Sequence, residues 1–153
     1  MIGLALTPEQ FTTLLRMVYI GNTVTNAHRG ETDFIKEYDD FEQYMFARAK
    51  DVGFPAATWR HEVNGVEHHH PSVIFENDEA LSKIIDEYDL SVTLEVLAEK
   101  LAERDVERKH GPFAKKRMPE KDYDDLVDDI ADAYETIFLA QGFEGISVHG
   151  KES

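Results

Sequence analysis

Apolar residues recur at three- and four-residue steps through most of this chain, and an α-helix satisfies that period where a strand does not. The clearest run is Phe34, Tyr38, Phe41, Met45, Ala49 and Val52. It predicts a helix from about Thr32 to Val52 with those six on its buried face, closed by Gly53. An earlier helix, from about Pro8 to Arg29, carries a complete start signal: Thr7 as cap, Pro8 in the first turn and Gln10 three residues beyond the cap. Gly30 closes it. Periodicity returns at Asn77-Asp78 and runs through Leu94, Leu97, Leu101 and Val106 to Gly111, read as two helices interrupted near Leu90-Ser91. The last helix is expected from near Pro119 to Gly142, with Leu126, Ile130, Ala133 and Ile137 on one face, and the tail from Phe143 as loosely held.

Between Phe54 and Phe75 the helical rhythm stops. Asn64-Gly65 lies between Thr58-Trp59-Arg60-His61-Glu62-Val63 and Val66-Glu67-His68-His69-His70, a strong hairpin signal. The expected class is therefore mostly α: a helical bundle of about five helices with a short β-hairpin or irregular insertion around residues 57–70. A length of 153 residues suits one domain over 1–153. A short echo, Lys36 to Phe41 against Lys121 to Leu126, is more economically chance than duplication in so acidic a chain.

The sequence has no cysteine, which removes disulfides, thiolate-bound zinc and cysteine nucleophiles. Its start turns polar at Thr7, and no apolar run approaches a membrane span, so the expectation is a cytoplasmic chain without membrane contact. Thirty-one acids against sixteen bases give a net charge of −15, which repels phosphate backbones and disfavours direct nucleic-acid binding. The surviving basic spot, Arg108-Lys109-His110 and Lys115-Lys116-Arg117, reads as a solvated loop. Glycines fall at helix ends and turns, and no phosphate loop or nucleophile elbow is present.

Three constellations remain. A two-residue turn at Asn64-Gly65 pairs His61 with His68 and Trp59 with His70, placing His61, His68 and His70 on one face. Three imidazoles there could hold a zinc-like divalent ion, with Glu62 or Glu67 as base or supporting group. No cofactor is otherwise expected. On the first helix, Asn22, Asn26 and Arg29 extend the stripe of Phe11, Leu15 and Val18, and a pocket of amides and a guanidinium suits a small anion. On the last helix, Asp125, Asp128, Asp129 and Asp132 centre opposite the apolar stripe, so they face water. Glu95, Glu99 and Glu103 form a similar row. Leu14, Met17, Tyr19 and Ile20 make the first helix apolar on more than one side, the mark of a central helix or of a homodimer interface.

The leading expectation is a non-catalytic acidic interaction domain that binds a basic or nucleic-acid-binding protein, its carboxylates imitating a phosphate backbone. The alternatives are a metal-dependent hydrolase at the histidines and a small-anion binder at the end of the first helix.

Overall fold

Helix α1 (Pro8–Asn26) begins as its sequence prescribes. The Thr7 hydroxyl accepts from the Gln10 N–H at 3.3 Å, and the Gln10 side-chain oxygen accepts from the Thr7 N–H at 2.9 Å. It ends earlier than the expected Arg29, at Asn26, whose side chain grips the next element. Asn26 donates to the Ile35 carbonyl (3.1 Å) and to Asn22 Oδ1 (2.8 Å), and accepts from the Ile35 N–H (2.9 Å). Helix α2 (Lys36–Phe46) therefore starts at Lys36, not at Thr32. Its N-terminal neighbour Ile35 has no side-chain cap of its own.

The computed structural model of the chain describes residues 3–30 and 32–146, so the expected tail lies largely outside the described residues. These residues divide into two compact units, Met1–Ile85 and Asp86–Ser153. In the first, 3-10 turns at Ala49–Val52 and Pro55–Ala57 follow α2. Strands β1 (Thr58–Val63) and β2 (Val66–Pro71) then pair antiparallel in the expected register, with His61 opposite His68 and Trp59 opposite His70. Asn64 (φ 53°) and Gly65 (φ 79°) are both left-handed, the conformation that a two-residue hairpin turn demands and that Asn-Gly tolerates best. The Ser72 side chain accepts from the Phe75 N–H to cap the single turn α3 (Val73–Glu76). Phe75 is the hub of this core: Phe46 meets it edge-on at 4.9 Å, Tyr19 at 5.7 Å, and Phe54 at a tilt at 6.4 Å. Leu15, Met45, Ala49, Ala57 and Leu81 close around that group.

Helix α4 (Glu79–His110) opens on Asp78, which accepts from the Leu81 N–H and binds Arg16 through both oxygens at 3.0 and 3.1 Å. The expected interruption near Leu90-Ser91 is absent, and α4 runs unbroken for 32 residues. No Gly or Pro lies between Glu79 and His110, so nothing in the backbone opposes continuation. What lapses is burial, since no residue between Leu81 and Ala98 is buried.

In the second unit, Gly111 (φ 87°) ends α4, a single turn α5 (Ala114–Arg117) follows, and α6 (Glu120–Gln141) packs Tyr123 and Val127 with Ala102, Val106 and Ala114. A 3-10 turn at Gly142–Gly145 follows α6. Tyr134 donates to Asp105 at 2.6 Å within this unit.

The mostly helical class with one hairpin stands, whereas two of the expected faces hold only in part: Met45 and Ala49 are buried as expected, and Leu126 and Ile130 pack against the second core. On α2 the buried residues are Glu42, Met45 and Phe46, while Phe34, Tyr38 and Phe41 are exposed. The buried face is turned by roughly 55° from the expected one, with Met45 and Ala49 common to both. On α6, Ile137 is 41% exposed and Ala133 is also exposed, because Tyr123, Val127 and Phe138 take the interior line instead. Tyr38 and Tyr123, equivalent in the sequence echo, occupy opposite environments, at 46% and 4% exposure.

Replacing Asn26 by Ala removes three hydrogen bonds at a buried position and leaves Ile35 unsatisfied. The variant is expected to lose about 1–3 kcal/mol of stability with its helical content retained. A urea midpoint equal to that of the unaltered chain would show that the clamp contributes nothing.

Candidate functional site

The hairpin carries alternate side chains to one face, and there Trp59, His61, His68 and His70 form a stack. Ring centroids lie 4.9 Å apart for Trp59 and His61, 5.1 Å for Trp59 and His70, 5.4 Å for His61 and His68, and 5.1 Å for His61 and His70. The imidazole planes are within 20° of parallel. The register thus brings the three expected histidines together, with near-parallel planes and centroids 5.1–6.3 Å apart. A zinc ion at about 2.0–2.1 Å from each nitrogen needs ring edges converging on a point. Among the described residues no group of three or more metal-ligating side chains is arranged that way.

Gln43 connects this stack to the acids of α2. Its amide nitrogen donates to Asp39 at 2.7 Å, which turns its oxygen toward His68 Nδ1 at 3.0 Å. With an acceptor facing it, His68 Nδ1 is the protonated nitrogen of that ring. The His61 Nδ1 atom is buried without a hydrogen-bond partner among the described residues.

Beside the stack lies a cleft of about 450 Å³. Tyr19, Asn22, Thr23 and Asn26 of α1 line one side, Asp39 and Glu42 of α2 another, with Phe34, Trp59, His70 and Glu76 completing the walls. It therefore joins two constellations that sit far apart in sequence, the amides of α1 and the end of the histidine face. Arg29 is not part of it, since its Nε donates to the Thr25 carbonyl at 2.7 Å and its Nη1 lies 3.9 Å from Asp33. The anion reading meets the opposite charge here: the lining contains three carboxylates and no Lys or Arg.

Asp39, Glu42 and Glu76 were not legible as site residues. Glu42 is only 5% exposed. Burial pushes its carboxyl up from 4.5 to about 7, a hydrogen bond from Asn22 opposes that shift, and the charges of Asp39 and Glu76 add to it. The His70 ring is held below its usual 6.5, chiefly by burial; Asp39 pulls the other way, and the neighbouring histidines add to the depression. The only sequence signal was that Glu42 shares a helical face with Met45, Phe46 and Ala49, four positions that also satisfy the helical period.

The second unit holds a larger cleft, about 600 Å³, lined by Lys100, Arg104, Arg108 and Lys115 with Glu103 and Glu107. Three of its four cations meet acids: Lys100 bonds Glu103 at 2.8 Å, Arg104 bonds Asp105 at 2.8 Å, and Arg108 lies 3.5 Å from Asp105. The acids of α6 differ. Asp125, Asp128, Asp129 and Asp132 are all exposed, and none forms an ion pair among the described residues. No described helix is long and apolar enough to cross a membrane.

No protein-family model, curated protein or solved structure matches the chain.

A carboxyl raised by folding holds a proton that the unfolded chain releases. Its contribution to stability is therefore present at low pH and lost as pH rises through about 7. His70, depressed by folding, acts oppositely and opposes further gain once pH falls below 6.5. Between pH 8 and pH 6.5 the chain should gain about 1 kcal/mol, a rise of a few degrees in Tm. Glu42→Gln should flatten that rise. A Tm that falls over this interval, or an equal rise in the variant, contradicts the assignment to Glu42.

Proposed function

We propose that the chain is a non-catalytic acidic interaction domain whose partner is a basic protein, of the kind that otherwise binds nucleic acid. The observation that carries the reading is the exposed, unpaired set Asp125, Asp128, Asp129 and Asp132 on α6. Their spacing of three, one and three residues keeps them on one side of the helix. They place four charges along about 10 Å of axis, at 1.5 Å per residue. A DNA duplex carries roughly six over the same length, one per 1.7 Å. The two densities are close enough for a surface built to grip phosphates to grip this helix. The Glu95, Glu99 and Glu103 row supports this less, because Lys100 lies between its members and bonds Glu103.

Charge also sets the kinetic advantage. A net −15 raises the encounter rate with a cationic partner and repels other polyanions.

Affinity for a panel of basic nucleic-acid-binding proteins should weaken steadily as salt is raised. Changing Asp125, Asp128, Asp129 and Asp132 together to Asn should weaken binding by roughly tenfold or more, at a few tenths of a kcal/mol for each exposed charge. Affinity that ignores ionic strength, or that survives the fourfold replacement, overturns the reading.

A further inference from the structure

The cleft of the first unit contains charge that the chain itself leaves unanswered. Asp39, Glu42 and Glu76 line it without any Lys or Arg, and none of the three forms an ion pair among the described residues. Other acids of this unit do find cations, Asp78 in Arg16 and Glu67 in Arg60. A second observation is independent of the cluster. Glu42 is 5% exposed, and its Oε1 atom is buried with no hydrogen-bond partner among the described residues. A buried acceptor left unmade is costly, and it persists in a native fold where something else completes it. Glu42 lines the cleft, but this oxygen is closed to solvent while the cleft is empty, so a ligand entering there supplies the missing donor only by turning the carboxylate toward itself.

The walls narrow the chemistry. Tyr19, Phe34 and Trp59 give the cleft aromatic surface beside its carboxylates. Aromatic faces attract cations and also cover hydrocarbon. A hard divalent ion asks for a shell of six or more oxygens and gains nothing from such walls. No three acidic or imidazole groups among the described residues are arranged to hold one. We propose that this cleft binds an alkylammonium group, with Glu42 and Asp39 accepting its N–H bonds and Trp59 and Phe34 covering its carbon chain. Glu76, exposed, adds to the negative field that draws the cation in. The site belongs to the first unit and is independent of the acidic face of α6.

Trp59 is the single tryptophan of the chain, so its emission reports on the cleft directly. At pH 8 the full chain is titrated with n-butylammonium, 1,4-diaminobutane and a terminally blocked lysine, with n-butanol, Mg²⁺ and Zn²⁺ as controls. A saturable change with the ammonium compounds and none with butanol is expected. The tighter of the diamine and the blocked lysine identifies whether a free amine or a protein side chain is the natural source, and either result supports the proposal. Glu42→Gln, with its melting curve retained, should weaken ammonium binding roughly tenfold or more. Should that variant fail to fold, Asp39→Asn with calorimetric detection takes its place, with the same direction of change expected. The proposal is overturned by a response to the metal ions alone, by an equal response to butanol, by no saturable response to any ammonium compound, or by a folded variant that binds as tightly as the unaltered chain.

Discussion

The amide of Asn26 holds the first unit in register. By accepting from the N–H of Ile35 and donating to its carbonyl, it captures the backbone immediately before α2, so that α2 starts where Asn26 allows. One wall of the cleft is placed by that entry: Asp39 and Glu42 one and two turns further on, facing α1, and Phe34 one residue before the clamp. The same side chain bonds Asn22, the residue that in turn meets the Glu42 carboxylate. A buried, fully used amide of this kind specifies one arrangement, since any slip leaves donors and acceptors without partners.

The orientation of α2 runs against simple hydrophobic ordering. Phe41 and Tyr44 stack on each other at 6.1 Å on the outside, and Glu42 goes inside. Aromatic residues at the surface are ordinary, but a buried carboxylate without a cation is not. The protein accommodates it by raising the affinity of that carboxyl for a proton, and the consequence is a group that changes charge near neutrality beside an open cleft. Departures from pattern of this sort concentrate where a chain has something other than packing to do.

The histidine face and the helix α4 teach a related lesson about what local rules leave open. Register alone dictated that His61, His68 and His70 share a face, because the side-chain period of a strand is two and the Asn64-Gly65 turn admits one pairing. How imidazoles on one face orient toward one another depends on neighbours, and Trp59 lies beside two of them with its ring within 30° of parallel. In α4 the lapse in apolar pattern near Leu90 marks a lapse in burial, not in the helix. Backbone hydrogen bonds propagate through any run that lacks Gly and Pro.

From the sequence by itself came the Thr7 cap, the Asn64-Gly65 hairpin with its pairing, the mostly helical class, and the outward acids of α6. These depend on interactions within a few residues, which a linear reading captures. Only the tertiary structure decided which side of α2 and α6 faces inward, that Asn22, Asn26 and His70 share one cleft while Arg29 stays outside it, and that Glu42 lies buried there. Two stripes on α2 satisfy the same helical period, and choosing between them depends on contacts with α1, the hairpin and Phe75, residues far along the chain whose packing energy has no local signature.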